Sequence, residues 1–287
     1  MSDTLTCVVT GGNAGIGEAT VTGLLARRDV AAVHMICRDA HRAEEAAQRI
    51  AKRTGRRPEI ALADLSRPRE VLRISRELAA RLPRIDRLIL NAAVVTRQRE
   101  ATEDGIERQL AVNHLAYFVM ARELLLKLAA SQPARIVVVA SNAHFRGQLN
   151  LEDFNAEHGF ASRARYAETK LMNVLFTAEL AQRIERDGPA GVTVNCLHPG
   201  VIATNLLLSY SPFRTLLTPL ILLLAGRPSR GAETSLYLAT ADDLGSVNGR
   251  FFRDRKEVTP SNDARDKHLA HALWEKTEAL VDKVLAS

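Results

Sequence analysis

The chain has 287 residues, 46% hydrophobic and 25% charged, with three cysteines and a net charge of +6. That composition excludes intrinsic disorder and a disulfide-stapled scaffold, because a chain this long buries a large apolar core unaided. The basic excess raises nucleic acid as a partner. However, the arginines are scattered, and the one dense cluster (Arg49, Lys52, Arg53, Arg56 and Arg57) falls at an expected helix end, where cations suit the dipole. No nucleic-acid partner is therefore expected.

Short β-branched runs alternate with longer helical patterns. Strands are predicted at Leu5 to Val9, Val33 to Cys37, Glu59 to Ala63, Ile85 to Leu90, Arg135 to Ala140, Val192 to Cys196 and near Val247 to Phe252. Helices are predicted from Ile16 to Arg28, from an Asp39 cap to about Thr54 with Gly55 at its end, and from Ser66 to before Pro83. Further helices are expected from about Gly105 to Ala130, Ala164 to Arg186, Gly231 to Ala241 and Asp263 to Leu285. Runs such as Ile136 to Ala140 are apolar throughout, which implies a sheet covered on both faces. The alternation describes an α/β doubly wound parallel sheet of about seven strands. With no repeat or linker, residues 1–287 read as one domain. A substrate flap is expected at about 200–229 and a C-terminal helix at about 263–285.

Cys7, Cys37 and Cys196 each sit in an apolar run and read as buried thiols of a reducing compartment. No Cys/His spacing fits a metal template, so no metal is expected. Leu216 to Ala225, broken by Pro219, is shorter than the roughly 20 residues a membrane span needs. The first residues show no targeting signal, and a soluble cytoplasmic protein is expected.

Thr10-Gly11-Gly12-Asn13-Ala14-Gly15-Ile16-Gly17 joins the first strand to the first helix. Glycines there permit a tight turn and close backbone approach, and a helix N-terminus favours a pyrophosphate. The alternative is a structural turn without a ligand. After the second strand, an NAD site wants a carboxylate for the ribose hydroxyls. Here Arg38 follows Cys37 and suits a 2′-phosphate, with Asp39 as a helix cap, so NADP(H) is favoured over NAD(H). Asp64, before Leu65, either approaches the adenine or serves as a turn carboxylate.

Tyr166 and Lys170 stand four positions apart on a predicted helix and share a face. An ammonium beside the phenol favours phenolate, so Tyr166 could exchange a proton near neutral pH. The alternative is a surface pair. Ser141 follows the fifth strand, where a doubly wound sheet exposes strand ends to ligand, and could equally cap a turn. Asn113 is a poor helix former inside a long helix, which points to a kink with a held water or to simple exposure. His114, His144, His158 and His198 fit no metal spacing. His144 and His198 border the expected pocket or play structural roles. Trp274, with Leu269, Leu273 and Leu280, reads as the core stripe of the last helix.

These motifs, in order, resemble the short-chain dehydrogenase/reductase family, over nearly the whole chain. Thr10 to Gly17 matches its TGxxxGxG turn, and Tyr166 with Lys170 its YxxxK element. Ser141 and Asn113 occupy the other two tetrad positions. Pro199-Gly200-Val201, with Thr204, matches the segment on the nicotinamide side of the cofactor. Asn91-Ala92-Ala93 matches the family's NNAG element in part. Ile36 to Asp39, Ser141 to His144, Tyr166 to Phe176, His198 to Gly200 and Gly231 to Ser235 are similar to the retinol-dehydrogenase-like branch, as is the insertion between Ser141 and Tyr166.

The resemblance implies a Rossmann fold and a hydride passed between nicotinamide C4 and a carbonyl carbon. In that scheme Tyr166 exchanges the proton, and Lys170 lowers its pKa and binds ribose. Ser141 orients the carbonyl oxygen, and Asn113 places a water leading to Lys170. Gly11, Asn13, Ala14, Gly15, Ile16, Gly17, Arg38, Asp64, Leu65, Asn91, Ala92, Pro199, Gly200, Val201 and Thr204 would complete the NADP(H) site. Membrane-bound relatives carry an N-terminal anchor that this sequence lacks, so a soluble relative is expected. The apolar stretch from Thr204 to Arg227 suits a bulky apolar carbonyl or alcohol substrate, though core packing, an oligomer interface or weak membrane-surface contact would also use it. Homodimers or homotetramers would pair through the helices carrying Asn113 and Tyr166. The rival function is a catalytically silent NADP-binding sensor or scaffold.

Overall fold

In the computed structural model, which describes residues 4–200 and 228–286, β1 (Leu5–Thr10) lies inside the sheet, third from one edge. It pairs in parallel with β2 (Val30–Cys37) on one side and β4 (Arg87–Leu90) on the other. Outward from β2 comes β3 (Glu59–Leu62), and outward from β4 come β5 (Ala134–Val139), β6 (Val192–His198) and β7 (Phe251–Arg253), all parallel. The two-residue β8 (Lys256–Glu257) closes the far edge antiparallel, so the order of the eight-stranded sheet is β3-β2-β1-β4-β5-β6-β7-β8. The direction of winding reverses between β1 and β4. Connections leave that point toward opposite faces, and a crevice opens at the strand ends.

Strand side chains alternate between two buried layers. Val8, Ile36, Leu88, Leu90, Ile136 and Val138 face α3 (Pro68–Arg81), α5 (Ala116–Ala129), α6 (Ser162–Asp187) and α8 (Lys267–Ala286). Cys7, Val9, Met35, Ile89 and Val137 face α1 (Gly15–Leu25), α2 (Ala40–Thr54) and α7 (Pro228–Thr240). Period two with both faces apolar is what a doubly covered sheet requires. The three cysteines are buried free thiols, and burial pushes Cys7 up to about 12. Trp274 belongs to the α8 core stripe, edge-on to Phe118 at 4.8 Å. Among the described residues, no helix is long and apolar enough to cross a membrane.

Several element boundaries differ from the sequence expectation. The seventh strand begins at Phe251, not Val247, because residues 247–249 bond differently. Asn248 Oδ1 accepts the Val194 amide, and Gly249, at φ 71°, donates to the Val194 carbonyl. Asp254 and Arg255, both at positive φ, then turn the chain back into β8, which is too short to show a hydrophobic alternation. The helix expected from Gly105 starts at α4 (Arg108–Leu110), because Gly105, at φ 73°, closes a turn and Glu107 caps the helix. Ser66 does not cap α3. It donates to Asp64, and Arg67 precedes a Pro68 start. Asp39 and Gly55 do bound α2 as expected, with Gly55 in the left-handed region.

Four of the five cations in the basic cluster are engaged within the chain. Arg49 and Arg53 pair with Glu18, Arg57 pairs with Glu44, and Arg56 donates to the Leu25, Arg27 and Ala31 carbonyls. Two arginines inside the sheet were not anticipated as buried. Arg87 and Arg135 lie side by side on β4 and β5 and donate to the Ala239 and Leu238 carbonyls at the end of α7. Those carbonyls have no intrahelical donor, and the dipole there favours cations.

Candidate functional site

The crevice at the sheet's switch point is a cleft of about 820 Å³. Its floor is the turn after β1. Gly11 and Gly15 have φ of 66° and 55°, which only glycine adopts freely. A Cβ at Gly17 would stand 2.1 Å from the Gly11 carbonyl oxygen, so the helix can approach the strand this closely only with glycine there. Among the described residues no side chain caps α1 at Ala14, so the amides of Gly15, Ile16 and Gly17, which line the cleft, have no intrahelical acceptor. Thr10 Oγ1 accepts the Asn91 and Ala92 amides at 2.8 and 2.9 Å, which ties the end of β4 to this turn. Gly11, Asn13, Ala14, Gly15, Ile16, Gly17, Asn91 and Ala92 all line the cleft.

At one end of the cleft stand Arg38, Asp64 and Leu65, joined by Arg42, which the sequence reading missed. Asp39 Oδ1 accepts the Arg42 amide at 3.0 Å, so this carboxylate is committed to capping α2. Asp64 Oδ1 accepts from the Ser66 amide and hydroxyl. It is therefore a turn carboxylate that also faces the cleft. Its pKa is lowered, although burial opposes this, by those Ser66 bonds and by the Arg38 and Arg108 charges.

At the other end, Ser141, Tyr166 and Lys170 line the wall together with Pro199 and Gly200. Val201 and Thr204, with the apolar segment through Arg227, lie outside the described residues. Lys170 is 1% exposed, and its Nζ donates to the Val139 carbonyl at 3.0 Å. Burial pushes this ammonium down to about 7. Its Nζ lies 5.6 Å from the centre of the half-buried Tyr166 ring, on the shared helix face. Ser141 Oγ accepts the Ala143 amide at 3.1 Å, so the capping role is real. The hydroxyl hydrogen stays available to a ligand.

Asn113 is not on the cleft wall but one layer behind it, fully buried. It sits in a π-helical turn (Ala111–Leu115) between α4 and α5, the kind of local insertion that a poor helix former allows. Its Oδ1 accepts the Val94 amide at 2.8 Å, and its Nδ2 donates to the Val94 carbonyl and to Thr169 Oγ1. The alternative of simple exposure fails here, since Asn113 is fully buried. The kink is present, and the side chain is held by backbone.

The matching family model is that of short chain dehydrogenases, over residues 5–214. The chain belongs to the short chain dehydrogenase family. Mouse retinol dehydrogenase 14 is 40% identical over 96% of this chain and 85% of its own length, which puts the chain in the retinol-dehydrogenase-like branch. A crystal structure of an uncharacterized protein from Mycobacterium paratuberculosis is 31% identical, covering 97% of this chain and 93% of its own, with a TM-score of 0.75. A Beutenbergia cavernae protein, solved with NADP bound at low occupancy, is 28% identical, covering 87% and 94%, with a TM-score of 0.68.

Within this short chain dehydrogenase, the largest feature missed from sequence is a buried ion cluster beside Tyr166. Arg165 is 2% exposed; it pairs with Glu107 and Glu168, each at 2.8 Å, and donates to the Phe154 carbonyl. Glu107 also accepts the Gln109 and Leu110 amides, so one carboxylate starts α4 and fixes the first turn of α6. A signal was present, since an arginine in a helix's first turn opposes the dipole and needs carboxylates nearby. Thr169 was also missed. It accepts from Asn113 and donates to the Tyr166 carbonyl, linking the two. His198 lines the cleft, with burial pushing its imidazole down to about 4, whereas His144 is wholly buried. Among the described residues, no group of His, Cys, Asp and Glu could hold a metal.

Proposed function

We propose that this chain is an NADP(H)-dependent oxidoreductase that interconverts a bulky apolar ketone or aldehyde with its alcohol. The observation that carries the reading is the placement of Ser141, Tyr166 and Lys170 on one wall of a cleft whose floor is an uncapped helix N-terminus behind a glycine turn. The glycine turn and the first-turn amides of α1 fit a dinucleotide pyrophosphate, since a Cβ at Gly17 would close the approach. When bound, the nicotinamide supplies or accepts the hydride at the carbon of the carbonyl group.

The chain's own residues do the rest. The Ser141 hydroxyl donates to the substrate oxygen and orients it. Tyr166 Oη gives its proton to that oxygen during reduction and takes it back during oxidation. Lys170, once charged, favours the phenolate. Asn113 and Thr169 hold the backbone on which these groups stand. Such general acid–base help contributes roughly 10²–10⁴-fold, with positioning supplying more.

Arg38 and Arg42 on the adenine end support a preference for the 2′-phosphate, because Asp39 is engaged in capping α2. NADP in the Beutenbergia cavernae structure is consistent with that preference. Val94, Val95 and Val112 make the substrate side apolar, and the retinol dehydrogenase relative supports a large hydrophobic substrate. A panel of retinal-like, steroid, aromatic and simple carbonyls, run with NADPH and NADH, tests the reading. Turnover of a bulky apolar member with NADPH preferred supports it. Cofactor binding without turnover of any member would make the chain a sensor.

A further inference from the structure

Ser141 opens a short 3-10 turn (Asn142–Arg146), and His144 within that turn has no exposed surface. Its ring bonds two backbone groups of fixed polarity. Nδ1 lies 2.7 Å from the Ser141 carbonyl oxygen, which can only accept. Nε2 lies 3.1 Å from the Ser261 amide, which can only donate. The imidazole is therefore neutral, in the single tautomer with hydrogen on Nδ1 and a lone pair on Nε2. Burial keeps its pKa below the usual histidine range, which favours the same form. The Phe251 ring, edge-on at 4.7 Å, and Phe145, at 4.2 Å, pack against its faces and edge.

We propose that His144 is a positioning residue for Ser141, a neutral strut between the Ser141 carbonyl and the segment leading into α8. The Ser141 carbonyl also accepts the His144 amide at 3.1 Å, while Ser141 Oγ accepts the Ala143 amide. The direction of the Ser141 hydroxyl thus follows from the turn, and the turn is braced by the ring. The far end of the strut is itself anchored. Ser261 Oγ accepts the Ala264 amide at 3.3 Å, in a turn packed on α6, the helix that carries Tyr166 and Lys170. The strut therefore sets Ser141 against Tyr166 by a route that does not pass through the sheet.

The kinetic arm of the test rests on the proposed carbonyl chemistry, and the exchange arm does not. His144→Phe keeps a ring in the site but removes both bonds. His144→Asn keeps an amide donor for the Ser141 carbonyl and loses only Ser261. Hydrogen exchange at single amides of the full chain should speed by about tenfold or more at Ala143 and Ser261 in His144→Phe, and at Ser261 alone in His144→Asn. With a carbonyl the enzyme reduces, kcat should fall by about tenfold or more in both variants at unchanged NADPH affinity, because a strut cut at either end no longer sets Ser141 against Tyr166. Unchanged Ala143 exchange in His144→Phe, or a wild-type kcat in His144→Asn, overturns the strut. A wild-type chain that reduces no carbonyl would count against the proposed function, and the exchange result would still decide the strut.

Discussion

Lys170 and Tyr166 face each other across one helical turn of α6, with the Lys170 Nζ 5.6 Å from the tyrosine ring centre and fully buried. The ammonium's hydrogen-bond partner is the Val139 carbonyl at the end of β5, so strand and helix share this one side chain. Burying an ammonium with a neutral partner disfavours its charged form.

That burial predicts a pH signature in the chain without cofactor. Lys170 titrates at about 7 when folded, against 10.5 for its ordinary value. Between those values the unfolded chain binds more protons. The stabilising contribution is complete above about 10.5 and lost as pH falls through about 7, so stability from this group rises with pH across that window. The slope reaches at most about 1.4 kcal/mol per pH unit. Lys170→Met should remove it in urea unfolding measured across that window. Parallel pH dependences for the variant and the wild type would contradict the burial argument.

Arg38 supplies a second prediction, independent of any substrate. Arg38→Ala should weaken 2′,5′-ADP binding by about tenfold to a hundredfold, the scale of a charge-assisted hydrogen bond. Binding of 5′-ADP, which lacks the 2′-phosphate, should barely change. Titration calorimetry with both nucleotides reads the difference, and equal losses would remove Arg38 from the phosphate site.

Arg165 offers a stability test close to Tyr166. Arg165→Met leaves Glu107 and Glu168 without their shared cation in a buried place. Removing one partner of such a cluster costs about 3–5 kcal/mol. Denaturant unfolding should show that loss, and a change below about 1 kcal/mol would mean that the carboxylates find other partners.

Much of this site was legible in the sequence because its chemistry restricts residue types. Positive φ and close approach demand Gly11, Gly15 and Gly17, and a shared helix face demands the Tyr166 to Lys170 spacing. The strands were legible because both sheet faces are apolar. What was not legible depends on contacts between distant segments. Glu107 and Arg165 are far apart in sequence, as are His144 and Ser261, and no local pattern pairs them. Asn113 was noticed as a misfit in a helix, but only the fold shows that Val94 takes up both ends of its amide. The β8 edge was missed because two residues carry no period.

The most direct test of the proposed chemistry is the rate of NADPH-dependent carbonyl reduction by Tyr166→Phe. The variant keeps the ring against Lys170 and loses only the proton-carrying hydroxyl. Activity should fall by roughly 10²–10⁴-fold or more while NADPH binds as tightly as to the wild type. Full activity in Tyr166→Phe would contradict the proposal.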